Sequence, residues 1–174
     1  MPASKYTLHS LSTKSPSSTL LDECNRILLS DFGPNHSIDP PLPPDLLVLV
    51  AKTTQSGTPA GVVTLHHDER TRAWELGTVS AAPPHSHGRI MRFLLREAPA
   101  AIREWYGSDG QQAWLVKRVK QDNAAQIATL RSIGFVPPPH FMVGILSDDG
   151  YIPFDPVDEM LMKKAVFVVG APEG

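Results

Sequence analysis

The chain has 174 residues, 41% hydrophobic and 20% charged, which suits one globular domain that buries its core without metal or disulfide staples. Sixteen Lys and Arg against eighteen Asp and Glu give a formal net charge of −2 and no electrostatic case for a nucleic-acid partner. The single Cys24 excludes an internal disulfide and suits a reducing compartment. MPASKYTLHS lacks a signal peptide's apolar core, and no window approaches about 18 apolar residues, so the expectation is a cytoplasmic protein with no membrane partner.

Lys5–Leu11 alternates as a short strand does. Ser15–Leu29 has helical spacing, with Ser17 or Ser18 as N-cap and Cys24 on the apolar face as a small buried hydrophobe. Asp31–Pro44 is a loop with room for one helical turn. Asp45–Lys52 is nearly continuously apolar, as a buried strand is. Thr53–Thr58 is a turn, Ala60–His66 a strand, His67–Thr71 a polar hairpin and Arg72–Ser80 a third strand of a meander. A long helix follows, with Ile90, Phe93, Leu94, Ala98, Ala101, Ile102 and Trp105 forming its core stripe. Pro99 should kink it or split it near Glu97, and Gly107 should end it. Gln112–Val119 is a strand, and Asn123–Ile133 a helix that Gly134 terminates. His140–Leu146 is extended, Ser147–Asp155 a loop and Glu159–Val168 a last strand. The order β-α-β-β-β-α-β-α-β-β is α+β, with a mixed central sheet flanked by helices.

The segment Trp74–Leu95, WELGTVSAAPPHSHGRIMRFLL, carries the most information. A strand runs into a Pro- and His-bearing turn, and helical periodicity begins at His87, Gly88 and Arg89. A glycine at a helix mouth lets a ligand approach the backbone, and the orphan N–H groups and dipole of the first turn attract an anion. His85-x-His87 has no Cys or carboxylate cluster beside it and makes a poor metal site, so no metal is expected.

That element order, with Val79 before His85, Ser86, His87, Gly88, Arg89 and Ile90, resembles the GNAT superfamily of acyl-CoA-dependent N-acyltransferases. Asn123 followed by Gly134–Phe135 at the family spacing adds to the resemblance, which covers nearly the whole chain as a single domain. It implies that the turn after the strand holds the diphosphate of coenzyme A, with acetyl-CoA as co-substrate. The implied coenzyme contacts are Val79, Ser80, Ala81, His85, His87, Gly88, Arg89, Ile90, Met91 and Asn123. Val79 is the family's backbone donor to the thioester carbonyl. Three positions depart from the family pattern: His85 stands where Arg or Gln is usual, Ile90 where a small residue is usual, and Leu130 where a tyrosine often protonates the departing thiolate. Arg89 or Arg92 would compensate for His85, and Tyr151 would substitute for the tyrosine ahead of Tyr106.

Glu75, four residues before Val79 and on the same strand face, is the first candidate for the base that deprotonates the amine, with His66 and His67 second. The resemblance implies transfer to a small-molecule amine by direct attack, with Asp31–Pro44 shaping the acceptor groove, Asp39 and His36 bordering it, and Trp74 and the loop around Tyr151 at its edges. Asp31, Asp39, Asp149 and Asp155 would suit a cationic acceptor. The alternatives are a protein or peptide N-acetyltransferase and a degenerate member that binds coenzyme A or acts as an interaction module. A homodimer is common in the family.

Overall fold

The computed structural model describes residues 4–70, 72–107, 112–120, 122–136 and 159–167. Its strands and helices are β1 (Tyr6–Leu11), α1 (Ser18–Phe32), β2 (Leu46–Thr53), β3 (Pro59–Asp68), β4 (Ala73–Ala81), α2 (His87–Tyr106), β5 (Gln112–Lys120), α3 (Ala124–Ser132) and β6 (Glu159–Phe167). A 3-10 turn at Pro34–His36 occupies the loop after α1. The strands are hydrogen-bonded in the order β1-β2-β3-β4-β5-β6. β1–β2 and β5–β6 are antiparallel, while β4 pairs parallel with β5 through Ala73↔Trp114, Trp74↔Leu115 and Glu75↔Val116. The sheet is therefore mixed, as expected for α+β. The predicted extended stretch His140–Leu146 lies outside the described residues.

Two compact units make up the chain. One is Met1–Leu65 with Gly77–Ala101, the other His66–Leu76 with Ile102–Gly174. In the first unit, Leu46–Ala51 of β2 is buried without alternation, because helices cover both sheet faces. Leu20, Leu21, Cys24, Ile27 and Leu28 of α1 pack on Leu11, Leu46, Val48, Val50 and Val62. Full burial of each such large aliphatic side chain contributes about 1.5–3 kcal/mol. Ser17 caps α1, its Oγ accepting from Leu20 N–H at 3.2 Å. Gly33, at φ 85°, ends it.

Gly61 adjoins Val62 and faces the other side of the sheet, where α2 sits. A Cβ placed on Gly61 would stand 2.2 Å from Ile90 Cγ2 and 2.7 Å from Ser80 O. The missing side chain is what lets the first turn of α2 lie this close to β3. α2 runs unbroken from His87 to Tyr106 with Pro99 inside it, so the predicted split near Glu97 does not occur. Proline removes one hydrogen bond there, but Leu94 and Leu95 before it and Ala98, Ala101 and Ile102 around and after it are all buried. Gly107, at φ 70°, ends the helix as predicted.

The second unit holds an aromatic cluster that corrects the reading of His67–Thr71 as a polar hairpin. β3 continues to Asp68, and His67 and Asp68 are both buried. The His67 ring stacks on Trp74 at 4.4 Å between centroids, and its Nε2 lies 2.6 Å from the Tyr106 hydroxyl, which also accepts from Trp74 Nε1 at 3.2 Å. The Arg72 guanidinium lies over the Tyr106 ring at 4.0 Å. Further on, α3 ends in a Schellman motif: Phe135 N–H donates to Leu130 O and Gly134 N–H to Arg131 O, with Gly134 at φ 93°. Phe135 and Leu130 are both buried, as the hydrophobic pair of that motif requires.

Gly61→Ala should lower stability by about 1–3 kcal/mol, because the overpacking outweighs the few tenths to 1 kcal/mol that alanine gains by restricting the unfolded chain. Urea unfolding checks this, and an unchanged midpoint would mean that α2 is not seated on Gly61.

Candidate functional site

β4 changes the edge it presents part-way along its length. In a regular strand, the N–H and C=O of every second residue point to the same edge. Arg72 O accepts from Trp114 N–H at 2.9 Å and Leu76 O accepts from Lys117 Nζ at 3.3 Å, so these even-numbered residues face β5. At the other end, Ala82 N–H donates to Ala60 O at 2.9 Å and faces β3. An irregular residue must lie between them. Thr78 marks it, because its N–H donates at 2.9 Å to the side-chain Oγ1 of Thr64 instead of a backbone carbonyl. A bulge of this kind re-aims the residues after it. Beyond it, the peptide groups of Val79 and Ala81 point away from β3.

The turn that follows is built by local bonds. His85 N–H donates to Ala82 O at 2.9 Å. Ser86 caps α2, its Oγ accepting from Arg89 N–H at 3.3 Å, and the first helical bond is Ile90 N–H to Ser86 O at 3.0 Å. The amides of His87 and Gly88 precede that bond and are the helix's orphan donors. Gly88 is exposed, with no heavy atom within 4 Å of the place a Cβ would take. From Ala81 to Arg96 the sequence has no acidic residue, and Arg89 and Arg92 are exposed. The arrangement is an uncrowded, positively biased helix start, able to hold an anion on backbone N–H groups.

The turn's side chains go to different places. His85 is turned inward: its Nδ1 lies 3.1 Å from the hydroxyl of Tyr6, against whose ring it packs edge-on. The departure to Ile90 has a packing reason, since that side chain is fully buried on Gly61. Met91 is buried as well, so neither side chain is open to a ligand. Ser80 is fully buried, and its hydroxyl donates to Asp31 Oδ2 at 2.6 Å, tying the last turn of α1 to β4. His87 Nε2 lies 2.9 Å from Val79 O, and since a carbonyl only accepts, Nε2 carries the proton.

Glu75 lies on β4 in the second unit, ahead of the bulge, so the regular alternation expected to put it on one face with Val79 does not hold. It is mostly buried and paired with Arg118, Nε to Oε1 at 2.5 Å. Asn123 is the N-cap of α3: its Oδ1 accepts from Gln126 N–H at 3.1 Å and its Nδ2 donates to Gln126 Oε1 at 3.2 Å. Leu130 is core. Trp74 is fully buried, which overturns its expected place at the rim of an acceptor groove. Tyr106 is held by His67 and Trp74, His66 is exposed, and Tyr151, Asp149 and Asp155 lie outside the described residues.

In the first unit, a cavity of about 350 Å³ is lined by Glu23, Arg26 and Asp31 of α1 and by Ala81, Ala82 and Pro83 at the end of β4. A larger one, about 500 Å³, lies between the start of α1 and the following loop, with Asp22, Asn25, Asp39 and Leu42 among its walls. Asn25 clamps that loop through both its amide atoms to Ile38, at 2.7 and 3.0 Å. Thr64, Gly61 and the Ser80–Asp31 pair escaped the sequence reading. A lone glycine inside an apolar strand was the one available signal, for close backbone approach.

No protein-family model matches the chain, and no curated protein matches its sequence. Solved structures do. A mutant of the spermidine N-acetyltransferase SpeG from Vibrio cholerae is 16% identical with a TM-score of 0.59, over 94% of this chain and 95% of that one. The ribosomal-protein-S18-alanine N-acetyltransferase from Escherichia coli is 18% identical at a TM-score of 0.54, covering 97% of each chain. The IAA acetyltransferase from Bacillus cereus is 18% identical at 0.54, over 92% and 99%. The chain shares the fold of these acetyltransferases. Among the described residues, no helix is long and apolar enough to cross a membrane.

Cys24 takes no part in this site. It is fully buried, and burial, reinforced by the neighbouring Glu23 charge, pushes its thiol up to about 12 from 9.0. Between those values the unfolded chain has released a proton that the folded chain keeps, so stability should fall as pH rises above 9. Urea unfolding at pH 8 and pH 10.5, under reducing conditions, should show an alkaline loss about 1–2 kcal/mol larger in the wild type than in Cys24→Ala. Equal losses would show that the thiol ionises as easily folded as unfolded.

Proposed function

We propose that the chain is an acyl-CoA-dependent N-acyltransferase that moves an acetyl group from acetyl-CoA to a primary amine of a small-molecule acceptor by direct attack. The observation that carries this reading is the capped but uncrowded start of α2 at Gly88, immediately after a bulged β4 whose Val79 peptide points away from β3. A diphosphate on the His87 and Gly88 amides, with Arg89 or Arg92 beside it, is the anion this geometry suits. The neighbouring segment Val79–Ala81 would then run beside the ligand's extended arm, with the Val79 N–H toward the thioester oxygen. Solved structures of the same fold include enzymes named as N-acetyltransferases of spermidine and of a protein alanine, which supports amine acylation as the reaction class.

In that reaction the amine nitrogen attacks the thioester carbon, the C–S bond breaks, and the amine's proton passes to a base. Glu75 is the proposed base, directly or through water, and it must act while its Oε1 is engaged by Arg118. Tyr151 is the proposed proton donor to the leaving thiolate, a role Leu130 cannot fill. Asn123 would hold the adenosine end, with its N-capping bonds fixing its side chain. The Asp31–Pro44 loop is the proposed wall of the acceptor groove, with Asp39 suited to a cationic amine. The chain would work as one cytoplasmic domain. A second reading, a coenzyme A-binding module without turnover, is favoured by the Glu75–Arg118 pair, which is sufficient reason for a mostly buried glutamate to be there.

Acetyl-CoA should raise the melting temperature by mass action, and Gly88→Glu, which sets a bulky carboxylate at the open helix start, should abolish that rise. Retained binding in Gly88→Glu would remove the turn as the coenzyme site. Glu75→Gln should lower kcat by about 100-fold and alter its pH profile, with coenzyme affinity kept within about two-fold. Unchanged turnover would reduce Glu75 to an ion-pair partner. If the wild type binds acetyl-CoA yet acylates no amine in a broad panel, the module reading prevails.

A further inference from the structure

We propose that the His87 imidazole is a built-in occupant of the Val79 carbonyl, one that the pantetheine arm of coenzyme A displaces when it binds. The inference rests on the coenzyme reading above and adds a competing contact within the chain itself. His87 is exposed and lies at the first position of α2, eight residues beyond Val79, yet its ring folds back so that Nε2–H donates to Val79 O at 2.9 Å. Val79 comes after the bulge, so this carbonyl is on the strand edge that points away from β3. An open strand edge recruits an extended ligand through its alternating N–H and C=O groups. The arm of coenzyme A is such a ligand, an extended chain with two amide groups. One of its amide N–H groups on Val79 O would occupy the place His87 now fills.

The exchange is one hydrogen bond for another. The ligand's N–H replaces the imidazole N–H on Val79 O, and the imidazole is released to water, where its donor is satisfied again. The intramolecular contact is therefore lost each time the arm binds, and removing it should tighten binding. His87 thus acts as a gate on the strand edge, apart from any service of its backbone amide to the diphosphate.

Calorimetric titration of the wild type and His87→Ala with three probes tests this: coenzyme A, pantetheine, and adenosine 3′,5′-bisphosphate, which has no arm. Loss of one net hydrogen bond's worth of competition corresponds to about a three- to ten-fold change. His87→Ala should bind coenzyme A and pantetheine tighter by that factor, and the bisphosphate within about two-fold of the wild type. In the wild type, the nitrogen chemical shifts of His87 should report the Nε2–H tautomer before coenzyme A is added and a freely exchanging ring afterwards. Weaker binding of coenzyme A by His87→Ala would overturn the proposal by making the imidazole a ligand group. Equal tightening for all three probes would overturn it in favour of a general steric or backbone effect at the helix start. Wild-type binding with no change in the variant would overturn the gate alone. Failure of the wild type to bind either arm-bearing probe would overturn the coenzyme reading and the gate with it.

Discussion

The contact on which the candidate site depends is the one between Ile90 and the bare Cα of Gly61. A helix can approach a sheet closely only where a side chain is missing, and here the missing Cβ would overlap both Ile90 and the carbonyl of Ser80. The contact draws the first turn of α2 down onto β3, turns Ile90 inward, and leaves Gly88 on the outer surface of the same turn. It also explains how an isoleucine is tolerated where the GNAT pattern has a small residue: the space it needs is supplied from the opposite partner. Ser86 completes the arrangement by capping the helix, so its hydrogen-bonding starts at Ile90 and the two preceding amides are left for other partners.

The bulge in β4 supplies the second half of the site. Without it, the edge that Arg72 and Leu76 present would continue, and the Val79 peptide would be directed at β3. Thr64 stabilises the irregularity with a side-chain acceptor, a role that a valine of the same shape could not perform. The buried Ser80 hydroxyl then locks the end of the strand to Asp31. Strand edge, helix start and α1 are thus joined by short-range bonds in the first unit, and His87 closes the circuit by reaching back to Val79.

Much of this was legible in the chain. The apolar run of β2, the stripe of α2, the serine cap of α1 and the glycine stops at Gly107 and Gly134 are local patterns, and local physics produces them. The Asn123 and Gly134–Phe135 positions were legible for the same reason: an N-cap and a Schellman motif need particular residues at particular offsets. Other features were hidden. His67 and Asp68 continue into a polar run that reads as a hairpin, and only Trp74 and Tyr106, the latter 39 residues from His67, convert that run into a buried strand end. Trp74 reads equally well as a groove rim or as core. Glu75 reads as an unpaired strand carboxylate until Arg118, 43 residues on, is brought beside it.

By itself the sequence determined the element order, the α+β class, the helix caps and the glycine at the mouth of α2, because each follows from periodicity or from the conformational limits of single residues. Tertiary structure alone decided which edge β4 presents, where the rings of His85 and His87 point, and which carboxylate stands beside which cation. Those outcomes depend on contacts between residues far apart in the chain, and no local pattern encodes the partner.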